Sequence, residues 1–173
     1  MLNISILLNG ANEAPPVSEG LYKALISSHS GFRYLLLIAL IIAIVTAYRG
    51  MSAGSSYSGN AKRFGLITMI LTDLQLLMGL FLYYIYLDAR TNFKLGQLKD
   101  AMSDSASRYF IAEHFIMMII AIVLIHVGYA KAKKGSSALA SNKAQFRWYL
   151  VALILILAAI PWPFYGSIGR GWF

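Results

Sequence analysis

Residues 109–130 read YFIAEHFIMMIIAIVLIHVGYA, a run that is apolar except for Glu113, His114 and His126. It is long enough, as a helix, to cross the ~30 Å hydrocarbon core of a bilayer. Three further stretches share its character, at about 31–48, 65–87 and 148–165. The expected fold is therefore all-α, an integral membrane four-helix bundle. Residues 1–20 read as a polar N-terminal tail, and 21–173 as a single four-helix transmembrane domain.

The composition agrees. Of 173 residues, 58% are hydrophobic and only 13% charged, which is a membrane composition rather than a soluble one. There is no cysteine. That excludes disulfides, Cys-ligated iron–sulfur clusters, Cys-containing zinc sites and haem attached through C-x-x-C-H. The net charge of +8 is read as basic loops meeting anionic lipid, and no nucleic-acid motif accompanies it. Residues 1–20 lack a basic leader, and Ile4–Leu8 is short for a signal-peptide core. The first membrane helix is expected to serve as the insertion signal.

Lys and Arg in short loops set the orientation. The loops at 49–64 and 131–147 carry eight such residues and no acid, whereas 88–108 carries both signs. The first and third loops are assigned to the cytoplasm and both termini to the outside, in a bacterial inner membrane. Pro161 and Pro163 close the fourth span, since proline cannot donate the helical hydrogen bond. Between Trp148 and Phe173 the only ionisable residue apart from tyrosine is Arg170, so the fourth helix reads as packing material.

Ionisable groups at membrane depth are costly and mark candidate sites. On the first stretch His29, Arg33, Leu40, Ala43 and Ala47 share one face, within about 80° at 100° per residue. On the second, Thr68, Thr72, Gln75 and Gly79 form a polar and small stripe, with Asp73 about 100° away from Thr72 and expected to face the bundle interior rather than lipid. On the third, His114 falls with Met118, Ala121, Ile125 and Gly128. His126 is twelve residues further on, about 18 Å along the axis and about 120° around it, so the two cannot ligate one metal.

Haem b asks for two axial ligands on facing helices. His29 and His114 form the expected pair on haem iron, with Arg33 one turn away as a partner for a propionate. The rival reading makes His29 an interfacial polar cap and His114 a hydrogen-bonded structural histidine. His126 matches the depth of Asp73. It is read either as a second, weaker haem ligand or, more conservatively, as the partner of Asp73 in a salt bridge or hydrogen bond. Glu113 has Arg33 and Arg108 within reach. No nucleophile–base arrangement, phosphate loop or zinc motif is present, so no catalytic residue is assigned.

The segments His29-Ser30-Gly31-Phe32-Arg33-Tyr34, Asp73-Leu74-Gln75-Leu76, Glu113-His114 and Ile160-Pro161-Trp162-Pro163-Phe164 resemble a group of small four-helix membrane proteins commonly labelled "cytochrome b". The resemblance covers about residues 27–173. It implies haem b and membrane electron transfer. In that group the position of Asp73 is often histidine, which implies that this chain lacks one candidate inner ligand and keeps the outer pair. The expected function is a b-type cytochrome-like electron-transfer subunit, with the bilayer, other membrane subunits and quinone as partners. The alternatives are a non-catalytic accessory subunit of a larger membrane complex, without haem, and a proton or small-solute conduit along Asp73, Glu113 and His126.

Overall fold

The computed structural model describes residues 17–52, 57 and 59–172. The described residues form five helices and no strand: α1 Glu19–Ser52, α2 Asn60–Thr91, α3 Leu95–Ser103, α4 Ser105–Lys133 and α5 Ala138–Ala159, with a 3-10 turn at Gly166–Ile168. Three of them, α1, α2 and α4, are long and apolar enough to cross a membrane. Their exposed side chains are largely Leu, Ile and Val, including Leu35, Ile38, Ile41, Ile70, Leu77, Ile116 and Val123. A helix apolar on every side needs lipid or protein around it. The fold is thus all-helical and consistent with a membrane-embedded chain.

The helices start and stop at identifiable signals. The Ser18 hydroxyl accepts the Leu21 amide (3.3 Å) ahead of α1. The Asp104 carboxylate accepts the Ser107 amide (2.8 Å) at the start of α4, and the Ser137 hydroxyl accepts the Ala140 amide (3.1 Å) at the start of α5. Each satisfies a donor that the first helical turn leaves open. After α2 the chain reverses through Asn92 and Phe93, both with positive φ (41° and 54°), where the Thr91 hydroxyl accepts the Phe93 amide.

The elements exceed the expected spans. The first apolar stretch belongs to one continuous 34-residue helix that begins at Glu19. The loop expected at 88–108 holds α3, whose Ala101 packs in a cluster with Tyr86 and Ile111. The loop expected at 131–147 is helical from Ala138, which takes Ser141, Asn142 and Gln145 into the interior. Residues 1–16 of the expected tail lie outside the described residues.

The chain divides into two compact units. Among the described residues the first unit comprises 17–32, 76–116 and 160–172; the second comprises Arg33–Gln75 and Met117–Ala159. In the second unit Leu40, Ala43, Ala47, Ala121, Ile125, Ala132, Tyr149, Ala152 and Ala159 are wholly buried. Small residues dominate, and they let helix backbones approach where lipid offers no hydrophobic drive. Leu40, Ala43 and Ala47 lie on the face expected for the first stretch, and Ala121, Ile125 and Gly128 on that of the third. The core of the first unit is more aromatic, built around Tyr22 with Ile85 and around Tyr86 with Ala101 and Ile111.

Candidate functional site

His29 and His114 both belong to the first unit. His29 comes from α1 and rests against Gly79 of α2. A Cβ at position 79 would lie 3.2 Å from the His29 Cε1, so the missing side chain makes room for the ring. His114 follows a π-helical turn, Tyr109–Glu113, and its amide donates to the Tyr109 carbonyl five residues back. Such turns insert an extra residue into a helix, shift its faces and recur at functional sites. The His114 ring lies beside those of Tyr109 and Phe110, at centroid distances of 6.0 and 6.3 Å.

Glu113 turns away from this group and takes Arg108, whose Nε donates to Oε1 at 3.0 Å. That selects one of the two arginines expected as its partners. Arg33 falls in the second unit, is buried, donates from Nη2 to the Tyr34 hydroxyl (3.1 Å) and stacks its guanidinium over the Tyr34 ring at 4.9 Å.

In the second unit, Asp73 of α2 meets His126 of α4, with Oδ1 3.2 Å from Nε2. The other ring nitrogen, Nδ1, lies 3.0 Å from the Ile122 carbonyl. A carbonyl only accepts, so Nδ1 carries a hydrogen in that contact. Both ring nitrogens of His126 are thereby engaged, Nδ1 within its own helix and Nε2 across to α2.

Asp73 was expected to face the interior. The neighbouring Thr72 and Thr68 do so, and each hydroxyl donates to the carbonyl four residues earlier on its own helix. The side chains of Asp73 and His126 stay 48% and 41% exposed. The reason is angular: Asp73 stands about 100° from Thr72 around α2, off the buried stripe.

One polar centre escaped the sequence reading. Gln145 is fully buried; its Nε2 donates to the carbonyls of Ala43 (3.1 Å) and Ala61 (3.0 Å), and its Oε1 accepts from the Tyr57 hydroxyl (2.5 Å). Tyr149, also fully buried, donates to the Gly65 carbonyl at 2.8 Å. A Cβ at position 65 would press into the Gln145 amide and displace it from this network. Burial pushes the Tyr57 phenol up to about 12, with a smaller contribution from Tyr129. The available signal was a run of uncharged polar residues, Ser141, Asn142 and Gln145, at helical spacing just before an apolar run.

Among the described residues no group of three or more His, Asp or Glu gathers as a metal cluster; axial ligation of haem requires only two side chains. Comparison with protein-family models, curated proteins and solved structures finds no match to this chain.

Proposed function

We propose that the chain is a four-span, b-type cytochrome-like subunit that transfers electrons within a membrane, with His29 and His114 as the axial ligands of haem b. The observation that carries this reading is the local preparation of the two histidines in one unit. One ring rests on a glycine, and the other follows a π-turn between aromatic rings. Haem would supply one-electron chemistry; the chain would supply ligands, ring orientation and a low-dielectric surround. In this reading 148–165 is the fourth span, supported by the apolar outward residues Val151, Ile154 and Leu157. The polar first half of α5 explains why that helix is less apolar than the other three. The basic, acid-free loops at 49–64 and 131–147 support a cytoplasmic position for both, with the termini outside a bacterial inner membrane. Quinone or a redox subunit would be the electron partner.

The visible spectrum tests the reading. Protein purified from haem-replete cells is expected to give a sharp reduced-minus-oxidised α-band, which His29→Ala or His114→Ala abolishes while the protein still inserts. An unchanged band in His114→Ala removes that residue as a ligand.

A second reading has its own support. The Asp73–His126 pair lies within two long apolar helices and is nearly half exposed. Polar groups at such a position call for protein or water around them rather than lipid. A non-catalytic subunit, with another membrane subunit laid over that pair, accounts for this. Absence of any haem band in protein that is folded and membrane-inserted would favour it.

A further inference from the structure

The last ionisable side chain of the sequence, Arg170, is held in place by its surroundings in the first unit. Its amide donates to the Pro161 carbonyl at 3.0 Å. Gly169 before it has no room for a side chain, since a Cβ there would lie 2.8 Å from the Trp162 carbonyl oxygen. The guanidinium lies over the ring of Phe110 at 4.5 Å. Phe110 in turn meets Tyr86 edge-on, with centroids 5.7 Å apart. A second guanidinium, Arg90, lies 5.6 Å from the Tyr86 centroid. Two arginines from distant parts of the chain thus meet one pair of packed rings, and Arg90 and Tyr86 both act electrostatically on Arg170.

Neither arginine forms an ion pair with a carboxylate among the described residues. Arg90 acts electrostatically on Asp104, whose Oδ2 accepts the Ser107 amide. Arg90 Nε is buried and makes no hydrogen bond; the Tyr86 hydroxyl, on a side chain more than nine-tenths buried, also has no partner. Desolvation lowers the Arg170 pKa, opposed by the phenols of Tyr86 and Tyr22, while Arg90 adds to the lowering as a like charge. Stacking on a ring gives a guanidinium some attraction but leaves its charge and its in-plane donors unanswered. A buried polar atom with no partner is rare and calls for a ligand or a water.

We propose that Arg90, Arg170 and the Tyr86 hydroxyl form a binding site for a phosphate group, supplied by the headgroup of an anionic phospholipid. A phosphate offers oxygens in a geometry that fits guanidinium forks, and the phenol adds a third donor. The site uses neither His29 nor His114 and stands whether or not the chain binds haem. It lies after the apolar part of α2 and in the tail after α5, where lipid phosphates are found if both helices span.

The full chain, purified in detergent and stripped of lipid, is titrated with phosphatidylglycerol, and bound lipid is counted by native mass spectrometry. One tight equivalent is expected. Arg90→Gln and Arg170→Gln should each weaken it on the order of tenfold. Tyr86→Phe should weaken it by a smaller factor. Arg170→Lys retains charge and fold but loses the fork, and should fall between wild type and Arg170→Gln. Displacement of the lipid by inorganic phosphate would show that the site reads phosphate alone. Resistance to phosphate together with the arginine dependence would show that the acyl chains contribute. Binding that is unchanged in both Gln variants, or that is absent from wild-type protein with an intact thermal transition, would overturn the proposal.

Discussion

Two polar centres, one in each unit, treat their buried groups in opposite ways. In the second unit Gln145 is closed by two carbonyls and a phenol, and Tyr149 by the Gly65 carbonyl, all from other parts of the chain. In the first unit the Tyr86 hydroxyl and Arg90 Nε are buried without hydrogen bonds, and Arg170 stacks on a ring instead of meeting an acid. A closed network specifies packing, because every member loses if the helices shift. An open set of donors stabilises nothing until a ligand arrives. The difference separates polar groups that hold the chain together, at Gln145 and Tyr149, from polar groups that await something to bind, at Tyr86 and Arg90.

The sharpest way to break that contrast is Gln145→Leu. The substitution keeps the volume but takes the acceptor from the half-buried Tyr57 hydroxyl and removes two contacts to backbone. A loss of about 2–3 kcal/mol is expected, read as a lower denaturation midpoint in detergent. A variant as stable as wild type would show that the network is incidental to packing.

A matched pair of smaller changes sharpens it. Tyr149→Phe deletes a hydroxyl that has a partner and leaves the Gly65 carbonyl with one donor fewer; about 1–1.5 kcal/mol should be lost. Tyr86→Phe deletes a hydroxyl that has none, so the ligand-free protein should be unchanged or slightly more stable. Equal losses at the two positions would erase the distinction between the two centres.

The sequence made the helices legible because long apolar runs have few other fates, and the faces carrying Leu40, Ala43 and Ala47 or Ala121, Ile125 and Gly128 followed from helical spacing. The Asp73–His126 pair was legible from matched depth, and the Glu113 partner from reach. Other features have no local signal. Nothing in Tyr109–Glu113 announces a π-turn, because that turn is set by how α4 packs at its start. Ser141, Asn142 and Gln145 resemble a loop until the Gln145 amide finds carbonyls on two other helices. Arg170 was conspicuous as the lone ionisable residue beside tyrosine after Trp148. Its neighbours depend on a non-periodic tail folding back through Pro161–Gly169, which no spacing rule describes.

The smallest loss belongs to the start of α4, the helix that carries His114. Asp104 caps it, and hydrogen bonds from the Ser107 side chain and amide hold its carboxyl below the ordinary value of 3.8. A carboxylate with a depressed folded pKa contributes stability that is present above the unfolded value and is lost as pH falls through the folded one. Asp104→Ala should therefore cost about 1 kcal/mol at neutral pH, seen as faster amide exchange at Ser107. Asp104→Asn keeps an acceptor and should cost less. Acidification below about pH 3.8 should weaken the cap in wild type and leave the Asn cap unaffected, because the amide does not titrate. Loss of Ser107 protection on acidification to the same extent in both proteins would mean that the carboxylate does not hold the cap.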